Sequence, residues 1–484
     1  MAPEENTRTI NKLPPELLYQ IFYSLETNSM LKVRLVCKTW DRANSPIFWR
    51  RLVLMEDYKN KAQKTEQEYY DYFQQRLALF QRKSIGGVEM VLVCGSCATE
   101  NHYFKKFFEN DLANATFERL ETFILYSEDQ SAESRFQLIR LESDLLNRFL
   151  KRHAHIIYLC LENVKIPYSF EGILENFPRL ETLFLTCCAI EAGNSHVKSQ
   201  KALCHPLKKL KLDEMENPLP QNMFLQNFYL HNLESLYVTG WITKKFWGSS
   251  VIKEYHGNET KNVVRLPNLR NLVLYQASSD DLLGYVYDVP KLTGLRLAHC
   301  IHNFEDEILD LLPCSQLTSL DLLYSNNDAL DRRIVTVTPN LKEFYFVNSG
   351  DHWRRSEIAR LKRWRNISVL HYLQMSSKFT KKFKYDFFPK LETLFVLWRF
   401  QAHVNMSKRV IKNRIAAASQ SNGKIFRIKH IKVLTDLDFV ATKDDMNWFK
   451  DRVLSIELVD DFIYSMAHKH FISPLFELFK HLSN

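Results

Sequence analysis

The chain has 484 residues and a mass of 57.3 kDa, too long for one small core, so two units or one elongated array are expected. Hydrophobic residues make up 45%, aromatic residues 13% and charged residues 25%, which excludes a largely disordered chain because this much apolar surface offsets the entropy of ordering. A net charge of +9 is small for this length, and clusters such as Arg354, Arg355, Arg360 and Lys362 read as solvated helix faces rather than a nucleic-acid stripe.

No stretch approaches the ~20 consecutive apolar residues of a membrane span, and Met1 to Thr9 is polar where an export signal is apolar. The expectation is therefore a protein of the cytoplasm or nucleus, with its nine cysteines reduced. Glycine is scarce and no phosphate-cradling loop is present. Cys94-Gly-Ser-Cys97 has metal-ligand spacing but no second pair, and the histidines are dispersed. Neither a cofactor nor a metal nor a catalytic constellation is expected.

In chain order, Leu13-Pro14-Pro15-Glu16-Leu17-Leu18 opens a short helix, because proline presets φ in a first turn and Glu16 suits the positive helix end. Leu17, Leu18, Ile21, Phe22 and Leu25 then line one helical face. Asn28 and Ser29 can cap a second helix carrying Leu31, Val33, Leu35, Val36 and Trp40, and a third short element closes with Pro46, Phe48 and Trp49. A bundle of about 40 residues cannot hide this many large apolar groups by itself. Some must pack on the rest of the chain or on a partner.

These residues, Leu13-Pro14-x-Glu16-Leu17-Leu18-x-x-Ile21-Phe22, Arg34-Leu35-Val36-Cys37-Lys38-x-Trp40 and Phe48-Trp49-Arg50-Arg51, resemble the F-box over residues 11–52. The resemblance implies docking on the Skp-type adaptor of a cullin–RING ubiquitin ligase. Carried over residue by residue, the implied contacts are Leu13, Pro14, Leu17, Leu18, Ile21, Leu35, Val36 and Trp40. Some of these will instead be internal core.

Tyr69, Tyr72, Phe73, Leu77 and Phe80 fall at helical spacing and predict a connecting helix. Beyond it the pattern Leu-x-x-Leu-x-Leu recurs, as in Leu180-Leu183-Leu185, Leu269-Leu272-Leu274 and Leu317-Leu320-Leu322. Its middle apolar positions are 123, 159, 183, 210, 236, 272, 295, 320, 344, 370, 394, 431 and 456, and nine of the twelve intervals lie between 23 and 27 residues. That period is the leucine-rich repeat's, in which each unit supplies one strand and only stacking buries its apolar face. Val88-Val91-Val93 adds a capping fourteenth strand, prolines such as Pro178, Pro267, Pro290, Pro339 and Pro389 precede strands, and Phe304 to Leu312 reads as an outer helix. Three long intervals place insertions near 126–147, 241–264 and 399–426. The whole resembles the F-box and leucine-rich repeat family, departing from it after the strands, where only Cys188 and Cys300 fit the usual Asn/Cys position.

The expected fold is α/β: an all-α F-box over 8–53, a connecting helical segment over 54–85, a solenoid of about 13–14 repeats over 86–470 and a cap over 471–484. A curved parallel sheet would line its concave face, with helices on the convex one. Strand alternation turns the last two leucines of each unit inward and sends the residues between and beside them to the concave face. Phe184, Tyr237, Tyr275, Arg296, Tyr345 and Phe395 are the candidate target-binding residues there, because aromatic and arginine side chains supply most interface energy. The competing reading is that these aromatics cover one another across strands. The expected function is a substrate-recognition subunit of a ubiquitin ligase with a protein target, or, as the alternative, a scaffold that acts outside any ligase.

Overall fold

The computed structural model describes residues 17–18, 32–33, 35–55, 65–83, 87–95, 106–127, 143–162, 164–166, 168, 170–190, 203–213, 215, 228–239, 251–256, 259–276, 285–298, 312–323, 337–346, 364–372, 388–398, 400–422, 424–435 and 441–459. The outer helix expected over Phe304–Leu312 lies outside these residues except for Leu312, as does the whole expected cap over 471–484. No helix among the described residues is long and apolar enough to cross a membrane.

Fifteen strands form one parallel sheet, and their order in space is their order in the chain. They are β1 (Arg51–Met55), β2 (Met90–Gly95), β3 (Thr122–Ser127), β4 (Tyr158–Glu162), β5 (Thr182–Thr186), β6 (Lys209–Asp213), β7 (Ser235–Thr239) and β8 (Asn271–Tyr275). The series continues with β9 (Gly294–Ala298), β10 (Ser319–Leu323), β11 (Glu343–Phe346), β12 (Val369–Tyr372), β13 (Thr393–Trp398), β14 (His430–Thr435) and β15 (Ser455–Val459). The fold is thus mixed α/β, built on one long parallel sheet.

The middle apolar positions of the sequence pattern are direct partners across this sheet. Phe123 pairs Leu159, Leu159 pairs Leu183, Leu183 pairs Leu210, and the succession runs unbroken through Leu236, Leu272, Leu295, Leu320, Phe344, Leu370 and Leu394 to Ile431 and Ile456. A one-residue slip would turn every leucine to the other face, so the shared apolar stripe sets the register. Val91 stands in the same row, opposite Phe123 and Leu52. Strand β1 was not expected: Arg51-Leu-Val-Leu-Met continues the stripe with Leu52 and Leu54, both fully buried.

Many of the strands are entered through a tight turn. Leu180 N–H bonds Phe177 C=O, Leu269 bonds Leu266, Leu292 bonds Val289, Leu341 bonds Thr338 and Leu391 bonds Phe388. The prolines at 178, 267, 290, 339 and 389 occupy the second position of these turns, where a fixed φ near −65° and a missing N–H cost nothing. A residue further on, asparagine reaches back one unit. Asn268 Nδ2 donates to His231 C=O at 2.6 Å, Asn232 to His205 C=O at 3.2 Å and Asn340 to Ser315 C=O at 3.0 Å. Cys188, at the expected Asn/Cys position, likewise donates its thiol to Leu161 C=O at 3.3 Å.

The leucines of the stripe and the helices above them form one apolar cluster that extends from Leu18 to Val453. At its start, α1 (Lys38–Phe48) and α2 (Glu66–Lys83) meet through Phe48, Trp49 and Phe80, with Trp49 and Phe80 ring centroids 5.0 Å apart. Tyr69, Phe73, Leu77 and Phe80 are the buried stripe of α2, while Tyr72 faces out; α3 (Ser143–Arg152) and α4 (Phe170–Asn176) follow in the chain. Deeper in the sheet, Trp364 packs on Phe344 and donates its indole N–H to Thr338 Oγ1 at 3.1 Å.

Two insertions build structure of their own. Near 241–264, an antiparallel hairpin of Val251–His256 and Glu259–Arg265 pairs with Tyr285–Asp288 as a separate three-stranded sheet. Near 399–426, α5 (Gln401–Gln420) packs on β13. It is held there by Arg414, whose buried guanidinium donates to the carbonyls of Phe388, Pro389 and Phe426 at 2.7–2.9 Å. A short helix α6 (Lys443–Lys450), capped by Thr442, then leads to β15. Most of the insertion near 126–147 lies outside the described residues.

Candidate partner-binding surfaces

The N-terminal candidates divide by exposure. Leu18 is buried in the common core and Trp40 is half-buried against it, so both help hold the module to the body. Leu17 is 45% exposed, Leu35 86% and Val36 57%. The helix expected from Asn28 through Trp40 is interrupted at these last two: Leu35 N–H bonds Lys32 C=O and Val36 bonds Val33, a turn after which α1 begins at Lys38. That turn leaves two adjacent aliphatic side chains outside, a local apolar patch of the kind that marks a docking site. Leu13, Pro14 and Ile21 lie outside the described residues.

The second candidate surface is the sheet face opposite the leucine stripe, which the structure divides in two. Over β2 to β8, Met90, Leu92, Ile124, Cys160, Phe184, Tyr237 and Val273 are buried as one cluster, with Val53, Tyr158 and Tyr275 packed against it. Alternation alone placed Phe184 and Tyr237 at the surface; both are buried, because they pack against the other members of the row on neighbouring strands. Tyr275 is half-buried. Lys211 lies fully buried in this row, its Nζ 3.2 Å from Asp213 and 5.0 Å from the Tyr237 ring centroid. A cation in such a place needs that carboxylate.

Over β9 to β15 the row turns polar and aromatic. Arg296, Asp321, Tyr345, His371, Phe395, Lys432 and Glu457 are successive register partners. Arg296 and Asp321 form a buried ion pair, and the guanidinium also sits 5.6 Å from the Tyr345 ring. His371 is stacked between two rings, with centroids 3.6 Å from Tyr345 and 3.9 Å from Phe395 and planes within 16°. Lys432 lies over the far side of Phe395 at 5.3 Å and pairs with exposed Glu457 at 3.3 Å. Arg296, expected at the surface, is instead buried because its charge is matched inside the row; Tyr345 and Phe395 remain half-buried.

Glu343 ties this stack together. It accepts from His371 Nε2 at 2.9 Å and Tyr345 O–H at 3.0 Å. Burial pushes its carboxyl up, but the bonds from His371, Tyr345 and Ser319 outweigh it and leave the pKa below the usual value. Burial lowers the His371 pKa, so the ring is neutral near pH 7, with Nδ1 an acceptor if Nε2 carries the proton. Burial likewise pushes Asp321 up to about 6, against the pull of Arg296. Asp321 Oδ1 and His371 Nδ1 are buried acceptors without a hydrogen-bond partner among the described residues. Strand alternation sends His371, between Leu370 and Tyr372, to this face as well, but its part in the stack shows only beside Tyr345 and Phe395 at the same register position on the neighbouring strands.

Comparison with known families finds an F-box-like domain model matching residues 10–55. The chain therefore carries an F-box-like domain near its N-terminus, a kind of domain that binds Skp-type adaptors and occurs in non-catalytic subunits of cullin complexes. The match ends at Met55, the last residue of β1. No curated protein matches the chain.

Proposed function

We propose that this protein is the target-recognition subunit of an SCF-type ubiquitin ligase of the cytoplasm or nucleus. Its F-box-like domain docks on a Skp-type adaptor and through it on a cullin. The remainder is a leucine-rich repeat solenoid that holds the target, while other subunits carry out the transfer. Rate enhancement then comes from proximity, since a bound target meets the charged ubiquitin at high effective concentration.

The observation that carries the reading is the F-box-like match over 10–55 coinciding with outward Leu17, Leu35 and Val36. The repeat reading is supported by the thirteen pattern centres pairing one to one across consecutive strands. Within the target-binding set, Tyr275, Tyr345 and Phe395 are the half-buried members able to touch a partner, and Phe184, Tyr237 and Arg296 are buried members of the same face.

Affinity purification of the tagged full chain tests this. Both a Skp-type adaptor and a cullin should be recovered, and Leu35→Glu with Val36→Glu should lose both while keeping the parent's thermal midpoint. Recovery of the adaptor without a cullin would replace the ligase reading with that of a separate scaffold; recovery of neither removes the docking assignment.

A further inference from the structure

One basic stretch of this chain carries no acidic residue of its own. Residues 401–429 contain seven Lys and Arg residues, at 408, 409, 412, 414, 424, 427 and 429, and neither Asp nor Glu. Three of these cations are matched within the fold. Arg414 is bonded to carbonyls inside, Lys429 pairs with Glu392 at 2.7 Å and Lys408 pairs with Asp445 at 2.5 Å. Asp445 also accepts from Thr442 Oγ1 at 2.6 Å and Gln401 Nε2 at 3.0 Å, so its oxygens are engaged.

Arg409 and Lys412 stand on the exposed face of α5 with no acidic partner among the described residues. They are three residues apart, neighbours on a helix surface. Lys412 Nζ lies 5.8 Å from the ring of half-buried Trp448 on α6, Lys408 Nζ lies 5.5 Å from it, and the Arg452 guanidinium lies 4.3 Å from it. Against these four cations stand Asp445, whose oxygens are engaged, and the exposed Asp444 and Asp451, the latter 3.9 Å from Arg452. Like charges three and four apart on a helix weaken it, and an anion laid across them would reverse that cost.

We propose that Lys412 and Arg452 beside Trp448, with Arg409 next to Lys412 on the exposed face of α5, form a docking site for an acidic segment of a partner protein. The site is separate from the aromatic row, because α5 packs on the core side of β13, where Val396 and Trp398 point, whereas Phe395 points the other way. It stands whether or not the chain serves a ligase. An acidic peptide fits better than nucleic acid, since the unmatched cations span about one helical turn and Arg452 already occupies the Trp448 ring. It fits better than a membrane, since the apolar face of α5, with Val404, Ile411 and Ala417, is buried.

The test is fluorescence anisotropy of a labelled octaglutamate peptide on the purified full chain, with a twelve-nucleotide dT oligonucleotide and phosphatidylserine vesicles as the other arms. Expected is saturable peptide binding that weakens at least tenfold between about 50 and 300 mM salt, as contacts between exposed charges must. The Arg409→Glu, Lys412→Glu double variant should weaken it at least tenfold further, and Arg409→Lys with Lys412→Arg should keep it. Failure of the parent to bind the peptide, equal binding by the charge-reversed variant at an unchanged thermal midpoint, or tighter binding of the oligonucleotide or vesicles would each overturn the assignment. Arg409→Gln with Lys412→Gln provides the same comparison should charge reversal impair folding.

Discussion

Asp321 holds a carboxyl where water does not reach, and its titration should be visible in the stability of the whole protein. Burial pushes its pKa in the fold up to about 6, above the 3.8 of an ordinary aspartate. Between those two values the folded chain keeps a proton that the unfolded chain has released, so stability falls as pH rises through the window. In urea titrations from pH 4 to 7, the parent should lose stability relative to Asp321→Asn, and superimposable pH profiles would mean that the Arg296 ion pair holds Asp321 ionised throughout. Alternation along the strands was enough to place Asp321, Arg296, Tyr345 and Phe395 in one row. Which of them water reaches was not legible, because exposure depends on what lies across the face and on charge pairing between strands 25 residues apart in the chain.

At the scale of the repeating unit, the asparagine that follows the turn proline is a hydrogen-bonded clip between consecutive units. Asn268 and Asn340 each donate to a carbonyl of the unit before, a bond contributing about 0.5–1.5 kcal/mol. Their turns enter strands three places apart, about 14 Å at the usual strand spacing, so the two effects should add. Asn268→Ala with Asn340→Ala should therefore cost about 1–3 kcal/mol in urea denaturation, nearly the sum of the single variants; a total below about 0.3 kcal/mol would show that water replaces the clips. The leucine stripe made the strands legible from β2 to β15, because spacing and register come from the same buried residues. The clips escaped notice because an exposed Asn beside a proline looks like any turn residue. Strand β1 escaped because one pair, Leu52 and Leu54, is too short a pattern to stand out. The hairpin near 251–265 escaped because its polar strands lack a leucine stripe.

For the molecule as a whole, the F-box-like match and the sheet share residues 51–55. Removing residues 1–55 would strip β1 from β2 and take Phe48 and Trp49 from Phe80, leaving a bare parallel edge above exposed aromatic rings. Such a chain should aggregate on size-exclusion chromatography, whereas one beginning at Pro46 should remain monodisperse. Equal behaviour of the two would mean that β1 is dispensable.

Because β1 is a rung of the same ladder that carries the Tyr345, His371 and Phe395 stack, the separation between the two ends is counted in strands. Twelve steps from β1 to β13, at about 4.8 Å each, make about 58 Å of sheet contour. The protein is in this sense a ruler with a fixed number of graduations: gaining or losing one unit between them would move the stack at β13 by a single strand spacing relative to β1, without altering the residues at either end.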